Sequence, residues 1–318
     1  TSVTGDIVIT CTAISNLKPC TAITLSANAL TFSTTDTQTL TATVTPSNTT
    51  DKIVWSSKPI GIVNVNNGVV TPIKNGSCVI TATCGSKSAT CNVTVNGIQE
   101  FTPPTDGLQL YLKGSDFTND PQTTTLTDNS GNNNDLTVTG FAYTNTSGSD
   151  NNNIVFDGTD DRLYNNNQSL NISNGFTIIF KGSINNLSQS NKEIVDMLIK
   201  EYPGGKQLSI IYGYLANTIE LYGDSLNFRE GSQIAISDTN IHTIAYSYDG
   251  SVIKGYLDGT EVINITRTVD ISLPITKVAI GGNTNDQSGH FSKITLNKFL
   301  FYGRGLSLSE ITNILNNI

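Results

Sequence analysis

Apolar and polar residues alternate in short runs along most of the 318-residue chain, and a period of two predicts strands with one buried face. Leu40, Ala42 and Val44 alternate with Thr39, Thr41, Thr43 and Thr45 until Pro46 ends the run. Ile53 and Trp55 mark the next strand, and Val63 and Val65 another before the turn Asn66-Asn67-Gly68. Residues 79–84 follow, then a strand carrying Cys91, Val93 and Val95. Many short strands separated by polar turns indicate a β-sandwich. Trp55, beside Ile53 on an alternating strand, is expected to fill that core. Upstream, residues 6–11 form one isolated strand after the turn Val3-Thr4-Gly5. A single strand cannot bury its own face, so this one is expected to pair with the next module or to finish one that precedes it. With Thr1 in place of a starting Met, the chain reads as a portion of something longer.

Residues 96–106, with Pro103-Pro104, interrupt the pattern and predict an extended, semi-rigid linker. Alternation resumes at residues 107–112 and again at 175–180. Residues 207–214 and 218–222 are expected to pair, with Tyr212 and Tyr214 on one strand face. Residues 241–248 run into Asp249-Gly250 and residues 252–257 into Asp258-Gly259, which predicts successive hairpins through Asp-Gly turns. Residues 277–282 and 294–302 complete the strands. Ser307-Leu308-Ser309-Glu310 is a capping box, so a short helix should follow with Leu308, Ile311 and Leu315 on one side. The expected organisation is therefore all-β: residues 1–20 as a terminal strand or extension, 21–96 as the first sandwich, 97–106 as linker and 107–318 as the second.

Composition narrows the partners. The net charge is −8, only 14% of residues are charged, and no Lys/Arg cluster occurs, so nucleic acid has little electrostatic attraction to this chain. No apolar run reaches the roughly 18–20 residues of a bilayer span, and no membrane insertion is expected. Cys11, Cys20, Cys78, Cys84 and Cys91 lie in the first third without Cys-x-x-Cys spacing or a nearby His, which favours disulfides or buried thiols over zinc. Cys84 and Cys91 flank Gly-Ser-Lys-Ser and could face each other across a hairpin, and Cys11 and Cys20 could staple the first segment.

Specific residues add two resemblances. Ile23-Thr24-Leu25-Ser26, residues 38–46, Val54-Trp55-Ser56-Ser57, Gly68-Val69-Val70-Thr71, Asn75-Gly76, Ile80-Thr81-Ala82-Thr83 and residues 87–95 together resemble the bacterial Ig-like domain, group 2. Ile60-Gly61-Ile62-Val63 departs from its usual Ala-Thr-Val core. Two motifs of the second half, residues 127–136 (TDNSGNNNDL) and 154–161 (IVFDGTDD), read as tight turns beside strands. With Asp106-Gly107-Leu108, Tyr248-Asp249-Gly250, residues 256–259 and the ending at 302–311, they resemble the laminin-G-like, concanavalin A-like jelly roll. The phrase at residues 3–13 is similar to closing strands of small β modules in phage and Gram-positive surface proteins.

The jelly-roll resemblance implies a structural calcium held by oxygen ligands near the early turns, where Asp128, Asn132, Asp135 and Asp157 stand. The alternative is that these side chains bond only their own turns. A glycan would need aromatic faces with polar groups beside them, and Tyr212, Tyr214, Tyr222 and Arg229 offer that combination. Catalysis finds little: in residues 193–201 the carboxylates Glu193 and Asp196 are three apart and are expected on opposite strand faces, unlike a glycosidase pair. His242 and His290 have no nucleophile motif near them, and no catalytic residue is assigned. The resemblances together imply a non-catalytic virion or surface protein, of phage origin by its module pairing. Its jelly roll would engage a host-surface glycan or cell-wall polysaccharide, alongside other virion or surface proteins. A bacterial adhesin, an accessory region of a secreted glycosidase and a ligand-free virion decoration protein are the rival readings.

Overall fold

A computed structural model describes residues 17–59, 61–98, 101–200, 206–223, 231–269, 271–285 and 289–318; the strand expected at residues 6–11, Cys11 and Arg229 lie outside them. Among the described residues the chain is all-β with one short α-helix near its C-terminus, and it divides into two compact units after residue 100.

The first unit is a small sandwich. Ala29–Phe32, Lys87–Val95, Gly76–Cys84 and Ile53–Lys58 form a four-stranded sheet in that order, facing the smaller sheets Gln38–Thr39, Val69–Pro72, Val63–Asn66 and Ala22–Leu25, Ala42–Thr45. Of the alternating positions, Leu40, Val63, Val93 and Val95 are buried together with Val70 and Ile80, while Ala42, Val44, Ile53 and Val65 are half-buried. Trp55 is half-buried and packs on both apolar clusters of the unit.

The cysteines are arranged differently from the expectation. Cys84 stands opposite Lys87 and Cys91 opposite Ile80, four residues along the ladder. That separates Cys84 from Cys91 by about 13 Å, well beyond the reach of a disulfide. Cys20 and Cys84 instead share one buried cluster, while Cys78 and Cys91 share the other.

The second unit is a jelly-roll-type sandwich of two sheets, each with eight strands among the described residues. In one, Ile294–Tyr302 is central: it pairs with Phe176–Ile184 on one side and with Leu108–Lys113 and Asn153–Val155 on the other. His242–Tyr248, Val252–Leu257 and Thr260–Thr266 extend it. The second sheet runs Thr125–Leu126, Leu136–Thr139, Arg162–Asn165, Lys277–Ile280, Lys192–Lys200, Lys206–Tyr212, Thr218–Tyr222, Gln233–Ala235. Between the sheets lie Ile178, Phe180, Tyr246, Phe299 and Phe301 from the first and Leu163, Val195, Met197, Ile210, Leu221 and Ile280 from the second.

The opposite face of the first sheet is covered by the helix Leu308–Asn317. Ile179, Ala245 and Leu300 alternate with the inter-sheet residues and meet Ile311, Ile314 and Leu315. The Ser307–Glu310 capping box is formed, and the Arg304 guanidinium hydrogen-bonded to Glu310 holds that carboxyl down at about 2. Leu308 departs from the expectation. As the first helical residue it points outward, 54% exposed, and Ile314 takes its place in the buried stripe.

The Asp258-Gly259 turn has an ionic anchor. His242 holds Asp258 Oδ2 through Nδ1 at 2.7 Å and Asp238 Oδ1 through Nε2 at 3.0 Å, and Thr243 N donates to Asp258 Oδ1. Burial opposes charge on this ring, but the two carboxylates outweigh it and hold its pKa above the ordinary 6.5. A raised histidine stabilises fully below its unfolded pKa and loses that contribution as pH rises through the folded one. The urea midpoint of the second unit should therefore fall as pH is raised above 6.5, and the slope should flatten in His242→Gln, the remainder belonging to the raised carboxyls of Asp161 and Glu193; an unchanged slope in that variant would show that His242 does not contribute to it.

Candidate functional site

The outer face of the second sheet carries the buried polar residues Glu193, Asp196, Ser209 and Glu220, and a bulge makes this possible. In the strand Lys192–Lys200 the register shifts between Glu193 and Val195. Ile194 and Val195 are both buried in the core, so Ile194 is the extra residue. Glu193 consequently stands opposite Ile211 and Asp196 opposite Ser209, two positions apart on the partner strand and so on one face. The expectation of opposite faces, counted from a spacing of three, is corrected by this insertion.

Asp196 is the centre of a row across the sheet: Thr137, Tyr164, Ala279, Asp196, Ser209 and Tyr222 are successive cross-strand neighbours. Four strand spacings separate the two tyrosines, about 19 Å. Glu193, Ile211, Glu220 and Gln233 form the parallel row beside it. Tyr164 is half-buried, with the Arg162 guanidinium 4.5 Å from its ring centre, a cation–π geometry that fixes the ring. Arg162 also donates through Nη1 to the Asn283 carbonyl at 3.0 Å.

Both carboxylates are heavily engaged. Asp196 accepts from Ser209 Oγ at 2.7 Å and from Thr284 N and Oγ1 at 2.8 and 2.9 Å. His290 Nδ1 lies 2.9 Å from both oxygens of Glu193, and Ser292 Oγ donates to the Glu193 carbonyl. Burial pushes the Glu193 carboxyl up from its ordinary value, against the pull of His290. The two ends of the 281–292 segment are thus seated on this face, one on each carboxylate. Glu220 turns to its own hairpin, accepting from Leu215 N and Thr218 Oγ1.

The residues expected to form an aromatic platform are not brought together. The strand ends at Tyr212, and Gly213 takes a positive φ of 77°. Tyr212 is fully buried between the sheets, with its hydroxyl donating to the Leu187 carbonyl at 3.3 Å, so it has no face to offer a sugar. Tyr214 is half exposed beyond the turn. Of the three, Tyr222 alone lies in the Asp196 row.

The calcium expectation fares similarly. Asp128 accepts from Tyr111 N and Ser130 N on one oxygen and from Ser130 Oγ and Asn134 N on the other. A carboxylate has about four acceptor sites, so these donors use them all. Asp135 Oδ1 accepts from Asp128 N, and the Asn132 amide donates to the Leu108 carbonyl. Asp128, Asn132 and Asp135 therefore bond both their own turn and the strand Leu108–Lys113, and at Asp128 these donors take the place a cation would need. Asp157 groups elsewhere: among the described residues, Asp157, Asp160 and Asp161 bring one oxygen each within 4.8 Å of one another. Asp161 is buried there, which pushes it up to about 6, and it accepts from Ser147 Oγ and Asp157 N.

Sequence reasoning missed Arg162, Tyr164, Asp196 and His290 as one group. The visible signals were the Ile194-Val195 doublet, which breaks the alternation between Glu193 and Asp196, and the pair Arg162 and Tyr164 flanking buried Leu163.

Residues 19–95 match the profile of the bacterial Ig-like domain (group 2). No curated protein matches the chain in sequence. Among solved structures, a Trypanosoma rangeli sialidase in complex with sialic acid is similar at 14% identity and TM-score 0.51, over 95% of this chain and 54% of that one. A mutant of Trypanosoma rangeli sialidase displaying trans-sialidase activity is similar at 17% identity and TM-score 0.51, over 68% of this chain and 33% of that one. The chain spans about a third of the length of the first sialidase structures it resembles. At such identities the likeness is one of β-sandwich fold.

Proposed function

We propose that the second sandwich is a non-catalytic carbohydrate-binding module of a phage virion or cell-surface protein, with the Ig-like sandwich as its spacer. The observation that carries the glycan reading is the row Tyr164–Asp196–Tyr222, in which two half-buried tyrosines stand about 19 Å apart on either side of the buried residues Ala279, Asp196 and Ser209. Sugar rings stack on aromatic faces through their C–H groups and need directed polar partners for their hydroxyls. Arg162 lies against the Tyr164 ring and fixes its orientation, and two aromatic contacts at this spacing suit an oligosaccharide better than a single ring.

Two features support binding without bond cleavage. Glycosidase chemistry needs one carboxyl free to give a proton and another free to attack or activate water. Here His290 occupies Glu193, and Ser209 and Thr284 occupy Asp196. The β-sandwich body and the match of residues 19–95 to an Ig-like domain suit a displayed appendage, and no described helix is long and apolar enough to cross a membrane.

The test is an array of cell-wall polysaccharides and surface oligosaccharides probed with the full chain, followed by titration of the best responder. Tyr164→Ala and Tyr222→Ala should each weaken binding about tenfold, roughly 1.4 kcal/mol, with little change in melting temperature. A chain that binds no glycan on the array, or two tyrosine variants that bind as tightly as the parent, would refute the assignment.

A further inference from the structure

The first unit holds two pairs of buried cysteines, and their geometries differ. Cys78 stands opposite Val93 and Cys91 opposite Ile80, so these two are diagonal neighbours on adjacent strands. Diagonal positions lie about 7–8 Å apart, while a disulfide usually needs its Cα atoms about 4.4–6.8 Å apart. The fit is poor. Cys20 and Cys84 meet differently, because Cys20 approaches from the segment leading into Ala22–Leu25 and is free of the ladder between Ile53–Lys58 and Gly76–Cys84.

Asp51 holds the two residues side by side. Its Oδ2 accepts from Cys20 N at 2.8 Å, and its carbonyl accepts from Cys84 Sγ at 3.7 Å. Both side chains are buried in one cluster with Ile23 and Ala82.

We propose that Cys20 and Cys84 close into a disulfide in an oxidising medium, tying the entry of the first sandwich to its central hairpin, while Cys78 and Cys91 remain thiols. With a small-molecule disulfide as oxidant, the Cys20 thiolate attacks one of its sulfurs. The S–S bond breaks, and the departing sulfur takes the electron pair and a proton. The Cys84 thiolate then attacks the Cys20 sulfur of the mixed disulfide and expels the second small thiol. Two protein thiols are oxidised, one small disulfide is reduced to two thiols, and both protons end on those products. Burial, with the Cys20 thiol beside it, pushes Cys84 up to about 11, so exchange proceeds through opening of the entry segment or during folding. The bridge would close a loop of about 65 residues, long enough for a large effect on the unfolded chain.

The test is to refold the full chain with glutathione disulfide, alkylate the remaining thiols and map a non-reducing digest by mass spectrometry. The expected result is a Cys20–Cys84 linked peptide with Cys78 and Cys91 alkylated. Melting followed by the fluorescence of Trp55, which packs on the Cys20–Cys84 cluster, should rise on the order of 10 °C over the reduced protein, and Cys84→Ser should show neither linkage nor dependence on reductant. Should that variant fail to fold, the parent with and without reductant gives the same answer. Complete alkylation of Cys20 and Cys84, or a linkage joining Cys11 to Cys20 or Cys78 to Cys91, would overturn the proposal.

Discussion

Replacing Asp196 with alanine is expected to destabilise the second sandwich by about 3 kcal/mol, because a buried donor stripped of its acceptor keeps its full desolvation cost. Asp196 is 2% exposed, and its loss strands the Ser209 hydroxyl and both the amide and the hydroxyl of Thr284. Asp196→Asn keeps one acceptor oxygen but turns an amide toward a donor, so its cost should fall between the parent and the alanine variant. The chain supplies its own control. Its single tryptophan, Trp55, lies in the first unit, so tryptophan fluorescence follows that unit while far-UV circular dichroism is dominated by the larger second one. In urea the dichroism transition should shift to lower denaturant and the fluorescence transition should stay in place. Coincident shifts of both, or none, would remove Asp196 from its assigned role.

Strand positions were legible because a two-residue period survives in sequence wherever one face is buried, as at Cys91–Val93–Val95 and in the Asp-Gly hairpins of the second unit, whereas the run expected through Leu40, Ala42 and Val44 divides at Leu40 into Gln38–Thr39 and Ala42–Thr45 in different sheets. The capping box at Ser307 was legible for a similar reason, since its geometry is local. Facing was lost where parity broke. Ile194 inserts one residue and brings Glu193 and Asp196 to the same side, whereas Gly213 ends a strand and separates Tyr212 from Tyr214. In both places a count of residues assumes unbroken pleating, and one backbone irregularity reverses the answer. Asp128 illustrates a different limit: the residue types that would ligate calcium are also those that build a tight turn, and only the full set of donors to its two oxygens distinguishes the roles. Tyr164 and Arg162 escaped notice because they follow Asp160-Asp161, where the motif reads as a turn. The partner contacts of Arg162 come from Asn283, which is 121 residues away and invisible to local pattern.

Gly281 is where the bulge, the core and the 281–292 segment are joined, and Gly281→Ala should cost about 3–4 kcal/mol. Two separable effects add. The residue sits at φ 82°, where a side chain costs about 1–2 kcal/mol. A Cβ there would also lie 2.3 Å from Phe156 Cδ1, and overfilling a packed core costs about 1–3 kcal/mol more. Phe156 has no room to retreat, being fully buried with its ring edge-on to Phe141 at 5.2 Å. A double-mutant cycle divides the two: in a Phe156→Leu background the added methyl should recover about 1–2 kcal/mol, while the backbone cost remains. The backbone matters to the site as well, since Gly281 N donates to the Ile194 carbonyl at 3.0 Å and its own carbonyl accepts from Ser292 N at 2.8 Å. Strain at Gly281 is thus transmitted to the inserted residue that sets the facing of Glu193 and Asp196. Equilibrium unfolding of the four proteins of the cycle decides the matter: additivity of the two substitutions would show that Phe156 is not what Gly281 must avoid.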